Sequence, residues 1–312
     1  MATLLDPFIQ SQGFVVLDGA LATELEARGA NLNHALWSAK LLIEQPALIR
    51  QVHKDYLEAG ANIISTASYQ ASFEGFEKQG YSKQTAIELM QLSVSIAKEA
   101  REELLLHATE TQSLKPLIAA SIGPYGAAQA DGSEYTGYVD VSIEALIHFH
   151  QERLAVLVQT GVDLIAFETI PCIDEAIAIK IILKAYPEVQ AWVSFSCKNE
   201  MQLSSGEKFE DAIDHLNDAE NVIALGVNCT APQYILSLIQ VAKQKTNKLI
   251  VVYPNKGEQY DAVLKQWNSN PTCNSNFAAE AKEWIETGAH IVGGCCRTSP
   301  LDIQQLSQLK AH

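Results

Sequence analysis

Eight short apolar, β-branched runs, each followed by a stretch with helical spacing, constrain this chain more than any other feature: FVVLD (14–18), NIISTAS (62–68), LIAASIG (117–123), DLIAFET (163–169), WVSFSC (192–197), VIALGVNC (222–229), LIVVYPN (249–255) and HIVGGCC (290–296). They show little polar alternation, as expected of strands covered on both faces of a parallel sheet. Helix punctuation falls between them. Pro46, Pro232 and Pro300 suit first-turn positions, Gly29, Gly60, Gly161 and Gly288 follow helical stretches, and Ser299-Pro300-Leu301-Asp302 is a helix start. A faint echo, a helix-ending glycine with a strand two residues later, recurs at Gly60, Gly161 and Gly288. Eight such units with no Pro/Gly/Ser linker predict an α/β fold, a single (β/α)8 TIM barrel domain over residues 1–312. At 39 residues per unit the chain exceeds the roughly 31 of a typical barrel, so insertions are expected, most clearly at 124–140 and 256–276.

Charge and targeting signals narrow the function classes. Thirty-seven acidic against 22 basic residues give a net charge of −15, spread along the chain, which argues against nucleic acid as a partner. The start lacks a basic n-region and a long apolar core, and no later run suits a membrane span, so a cytoplasmic protein is expected, with no membrane partner. In that compartment six cysteines are read for metal or catalytic roles before disulfides.

Barrels keep their chemistry where strands end and loops begin. The last residues of the runs are Asp18, Thr66 to Tyr69, Ser121 to Tyr125, Glu168-Thr169, Ser196-Cys197, Asn228-Cys229, Tyr253 to Asn255 and Cys295-Cys296. Cys229, Cys295 and Cys296 end the sixth and eighth runs, which one neighbour separates in a barrel. Three thiolates with no evident fourth ligand suit a catalytic zinc with an open position. Gly293-Gly294 would let the backbone turn so that two adjacent cysteines face one centre. The alternatives are buried apolar cysteines or a strained disulfide between the adjacent pair; gathered at one rim, the three favour zinc. Cys172, Cys197 and Cys273 lack that paired context and receive no role. Three anionic ligands make zinc a poor activator of water but keep a bound sulfur electron-rich, which suits alkyl transfer to a thiol from a cationic onium donor.

The residues that carry this chemistry also carry a resemblance. LDGALATELEARG (17–29), SYQAS (68–72), SIGPYGA (121–127), DGSEYTG (131–137), FETIP (167–171), GVNC (226–229), YPN (253–255) and GGCCRT (293–298) resemble the homocysteine S-methyltransferase family along essentially the whole chain. The chain looks most similar to the stand-alone S-methylmethionine-dependent members, which have neither the cobalamin and folate modules of methionine synthase nor the C-terminal extension of the betaine enzymes. The resemblance implies transfer from S-methyl-L-methionine to L-homocysteine, giving two L-methionine, with one Zn2+ per chain on Cys229, Cys295 and Cys296. S-adenosylmethionine or betaine as donor, and selenocysteine or selenohomocysteine as acceptor, remain alternatives. Lys256 departs from the small residue expected after Tyr253-Pro254-Asn255.

The candidate catalytic residues are thus the three cysteines and Glu168. The candidate substrate-binding residues are Asp18, Gly19, Trp37, Thr66, Tyr69, Ser121, Glu168 and Asn228. Asp18 suits the homocysteine ammonium or, alternatively, an N-cap for the helix containing Thr23 to Arg28. The resemblance places Glu168 on the amino-acid substrate; a carboxylate pair with Asp18 of the glycosidase kind leaves the cysteines unexplained. Trp37 and Tyr69 are aromatic candidates for holding the onium, or simply pack. Tyr125 and Glu134-Tyr135 lie in an insertion that would cover the site. His34, His53, His148, His150 and His215 are assigned no ligand role. Two other readings stay open: a lyase forming an imine on Lys256, and a zinc-storing scaffold with a closed fourth ligand. Oligomeric state is not legible beyond a monomer or weak homo-oligomer.

Overall fold

The computed structural model describes residues 2–32, 36–106, 114–257, 259–261, 266–268 and 276–311, with backbone alone at 37, 38, 259–261 and 266–268. Its strands are β1 (Val15–Val16), β2 (Ile63–Ser65), β3 (Leu117–Ile122), β4 (Leu164–Ile170), β5 (Ala191–Phe195), β6 (Val222–Asn228), β7 (Leu249–Tyr253), β8 (Gln259–Asp261), β9 (Gln266–Asn268) and β10 (Ile291–Val292). Eight of them form one parallel sheet in the order β1-β10-β7-β6-β5-β4-β3-β2. A parallel bridge between Leu17 and Ile63 joins the two ends, with the Asp18 amide donating to the Ile63 carbonyl at 3.0 Å. The fold is therefore a (β/α)8 barrel. The short antiparallel pair β8–β9 lies apart from it, in the expected 256–276 insertion.

The helices that follow successive barrel strands include Pro46–Glu58, Lys83–Leu106, Ile143–Gln159, Ile173–Leu183, Phe209–Leu216, Ile235–Lys245, Phe277–Thr287 and Pro300–Ser307. Pro46 and Pro300 open theirs as expected. At Pro300, Ser299 and Asp302 form a reciprocal capping box. Among the described residues, no helix is long and apolar enough to cross a membrane.

Period-two alternation divides the core in two. Ile165 and Phe167 of β4 pack outward under the helices, whereas Leu164 and Ala166 point into the barrel with Ala119, Trp192, Ala224 and Val251. Leu5 and Phe8 join that inner cluster from the N-terminal segment. Continued to the strand ends, the same parity turns Ser121, Glu168, Ser194, Asn228 and Tyr253 toward the barrel axis. The uppermost inner layer is polar, and the site is built on it.

Candidate active site

The hydrogen bonds of this inner layer form a continuous chain. Ser121 Oγ donates to Glu168 Oε1, and Tyr253 OH donates to Glu168 Oε2 at 3.0 Å. Tyr253 OH also accepts from Trp192 Nε1 at 3.0 Å and lies 2.5 Å from Ser194 Oγ. Ser194 donates to Asn228 Oδ1 at 2.9 Å. Burial raises the Glu168 carboxyl to about 7 against the opposing hydrogen bonds from Ser121 and Tyr253. Asp18, also buried, accepts from the Ser65 amide at 2.7 Å; desolvation, and to a lesser degree the Glu168 charge, raise it well above the ordinary carboxylate range. Two buried carboxylates near enough for one to feel the other's charge favour a cation at this rim.

The alternative N-cap role of Asp18 is not found. The helix Leu21–Ala27 is N-capped by Ala20 without a side-chain bond, because the extended Gly19-Ala20 segment carries the chain past Asp18 before the helix begins. Gly19 leaves no room for a larger residue: a Cβ there would lie 2.8 Å from Tyr56 Oη and 2.9 Å from Thr298 Oγ1. Thr66 is engaged internally, sharing a hydrogen with Ser68 Oγ at 2.6 Å and accepting from the Ser121 amide at 3.1 Å. Tyr69 packs its ring against Gly123 and feels the charges of Glu134, Cys229 and Glu168. The backbone of Trp37 opens a 3-10 turn, Trp37–Lys40; its side chain, like His34 and Cys273, lies outside the described residues.

The three predicted cysteines meet. Their sulfurs all lie within 4.8 Å of one another, with Cys229 and Cys296 at 4.0 Å. Zinc–sulfur bonds of about 2.3 Å in a tetrahedron put sulfurs about 3.8 Å apart, so this donor set fits a zinc ion. Cys229 reaches the centre through a left-handed backbone, φ 47°, at the end of β6. Gly293 and Gly294 act by size, contrary to the turn expected of them: neither has positive φ. A Cβ would lie 2.6 Å from Leu17 Cβ at the first and 2.3 Å from Thr298 Oγ1 at the second. The chain turns after the pair, at Arg297, φ 73°. The three thiols share protons: hydrogen bonds from Cys295 and Cys296 hold Cys229 well below the usual thiol range, and bonding to that thiolate raises Cys295 and Cys296.

Cys172 and Cys197 stand outside the cluster, both buried, with burial pushing their thiols up. Lys256 is engaged elsewhere, its ammonium 2.9 Å from both oxygens of Asp302. That bidentate pair gives no support to an imine-forming role.

The insertion after β3 folds over the sulfurs as a helix, Tyr125–Gln129, and a 3-10 turn, Ser133–Tyr135. Tyr135 OH donates to Cys229 Sγ at 3.9 Å. Glu175, fully buried, ties the insertion down: it accepts from the Tyr125 amide at 2.7 Å and from Tyr138 OH, and pairs with His150 Nε2 at 2.7 Å. Sequence reasoning placed Tyr253 at a strand end without giving it a role, and did not single out Ser194 or Glu175. For the first two, the signal was available in the parity of the strands that carry them.

The family model for homocysteine S-methyltransferase matches residues 15–309. Homocysteine S-methyltransferase YbgG of Bacillus subtilis is 51% identical over 94% of this chain and 93% of its own. A selenocysteine Se-methyltransferase of Brassica oleracea is 44% identical, covering 95% of this chain and 89% of its own. Among solved structures, the metallated form of the homocysteine methyltransferase MmuM from Escherichia coli superposes with a TM-score of 0.87 at 41% identity, covering 97% of this chain and 99% of that one.

Proposed function

Because the chain belongs to the homocysteine S-methyltransferase family, we propose that this enzyme transfers a methyl group from S-methyl-L-methionine to L-homocysteine at one zinc ion held by Cys229, Cys295 and Cys296. The observation that carries the reading is the convergence of those three sulfurs within 4.8 Å at the ends of β6 and β10. Support for a metal also comes from the related E. coli enzyme, whose structure is of a metallated form. Zinc, bound there, supplies a means of keeping the homocysteine sulfur as a thiolate near neutral pH.

The chain's own residues supply the rest. Asp18 and Glu168 receive the homocysteine ammonium, a cation that offsets the cost of keeping two buried carboxylates charged. Ser121 and Tyr253 fix the Glu168 carboxylate in place by donating to it. Gly19, Thr66 and Asn228 line and hold the wall of that pocket. Tyr69 offers a ring face to the sulfonium, worth about 0.5–2 kcal/mol depending on desolvation, and Trp37 is the second aromatic candidate for that role. The insertion carrying Tyr125 and Tyr135 keeps water from the sulfur, and the barrel holds donor and acceptor in line.

On this reading the chain is one homocysteine-binding barrel domain over 1–312, cytoplasmic, working as a monomer or weak homo-oligomer on small molecules. A selenolate acceptor is a second reading, favoured by the similarity to a selenocysteine Se-methyltransferase. The test is a donor panel on zinc-loaded protein with homocysteine, scored for methionine. S-Methylmethionine is expected to exceed S-adenosylmethionine and betaine. No methionine from any of them, or undiminished turnover by metal-free protein, would overturn the assignment.

A further inference from the structure

Glu134 occupies the Ser133–Tyr135 turn over the sulfur cluster. Its main chain is fixed from behind: the Glu134 carbonyl accepts from Ser196 Oγ at 2.9 Å. Gly126 lets the neighbouring helix close against it, since a Cβ there would lie 2.6 Å from the Glu134 nitrogen. The next residue, Tyr135, bonds to Cys229. In this anchored position Glu134 Oε2 is buried with no hydrogen-bond partner. A buried carboxylate oxygen without a donor is costly, and native structures rarely keep one unless something else answers it. The carboxylate lies close enough to Tyr69 and Cys229 for their charges to interact. Glu134 belongs to the insertion over the cluster, whereas Asp18 and Glu168 belong to the strand ends of the barrel.

We infer that Glu134 is the counter-ion of the methyl donor, holding the positive charge of a sulfonium between its carboxylate and the rings of Tyr69 and Tyr135. This rests on the function proposed above and assigns the donor a subsite distinct from that of the acceptor ammonium. In the transfer, the methyl–sulfur bond of the sulfonium breaks with its electron pair remaining on the donor sulfur, which becomes a neutral thioether. A thiolate pair of homocysteine forms the new carbon–sulfur bond, and no proton moves. The positive charge facing Glu134 is full before the transfer, dispersed during it and gone afterwards. The carboxylate therefore strengthens donor binding more than it lowers the barrier, and its attraction for the donor sulfur disappears on turnover, favouring product release.

The test compares a charged with a neutral methyl donor on zinc-loaded E134Q, which keeps the side-chain size. With S-methylmethionine, kcat/KM is expected to fall about tenfold or more, through KM, with kcat nearly unchanged. With neutral methyl iodide, the rate of homocysteine methylation is expected to stay within about twofold, as are zinc content and homocysteine affinity. E134D, which keeps the charge on a shorter arm, should recover part of the loss. An unchanged sulfonium KM, or an equal loss with both donors, overturns the inference. Absence of S-methylmethionine turnover by the unaltered enzyme instead overturns the function on which it rests. Should E134Q not fold, the unaltered enzyme answers the question: a neutral analogue with carbon in place of the sulfonium sulfur must inhibit only at about ten times the donor KM or above, and equal binding overturns the counter-ion.

Discussion

The Asn228 side chain closes on Thr169 from both sides, its Oδ1 accepting from the Thr169 amide at 2.7 Å and its Nδ2 donating to the Thr169 hydroxyl at 2.8 Å. Thr169 needs this restraint because it sits at φ 63°, in the register shift that separates Phe167 from Ile170 in the pairing of β4 with β5. The shift follows directly on Glu168, and Asn228 is followed by Cys229. One amide thus couples the Glu168 carboxylate to the first of the three sulfurs. Asn228→Ala is expected to lower stability by about 2–3 kcal/mol, through two orphaned groups on Thr169 and one on Ser194. Activity should fall further than stability accounts for. Chemical unfolding, together with methionine formation at saturating zinc, measures both; a variant of native stability and activity would refute the coupling.

Each cysteine of the cluster has a different support, and none is needed to close the barrel. Cys229 hangs on a Tyr253 carbonyl at 3.3 Å and Cys295 on the Pro254 carbonyl at 2.8 Å, both through backbone amides that a substitution leaves intact. Cys229→Ser, Cys295→Ser and Cys296→Ser should each fold, lose bound zinc to below about a tenth of one ion per chain, and lose methyl transfer with it. Metal analysis after dialysis, alongside circular dichroism, checks the pair of outcomes. Full activity without metal in any of the three would remove zinc from the reaction.

The insertion over the site depends on one buried carboxylate. Glu175→Ala would leave the Tyr125 amide, the Tyr138 hydroxyl and His150 Nε2 without their acceptor at once. A loss of about 3 kcal/mol is expected. Amide exchange in residues 125–138 should accelerate more than in the barrel strands, and the KM for the donor should rise more than that for homocysteine. Uniform exchange across the chain would mean that Glu175 stabilises the whole barrel and does not act as a local strap.

How far the sequence reached is visible in particular residues. The eight runs were legible because a strand covered on both faces must be apolar throughout. The cysteines were legible because the ends of strands only one neighbour apart converge on the mouth of a closed barrel. The ends of the runs were less so. β1 and β10 keep only two ladder residues each, because beyond them the chain turns into the site, where Gly294 donates to the Asp18 carbonyl at 3.0 Å. The cap alternative for Asp18 could not be set aside from sequence, because a short polar residue before a helix carries the same local signal whether or not it caps it. Tyr253 and Ser194 follow from alternation, once the inward register of Val251 and Trp192 is known. Glu134 was legible only as part of a covering insertion, and Glu175 ties that insertion to helix residues far along the chain, a tertiary contact for which no periodicity exists.

His53, on the helix Pro46–Glu58, is buried with neither ring nitrogen hydrogen-bonded among the described residues. Desolvation alone lowers it from 6.5 to about 4. The sign follows from proton uptake: the unfolded chain takes up this proton near pH 6.5 and the folded chain only near pH 4, so unfolding is favoured progressively as pH falls across that window. Between pH 7 and pH 4.5 the imidazole should account for about 2 kcal/mol of lost stability. His53→Leu replaces it with an apolar side chain that cannot take up a proton. Urea unfolding at the two pH values should show the difference shrinking by that amount in the variant, with most of the gain at the acid end. An identical pH dependence in both proteins would mean that His53 is solvated or bonded in solution.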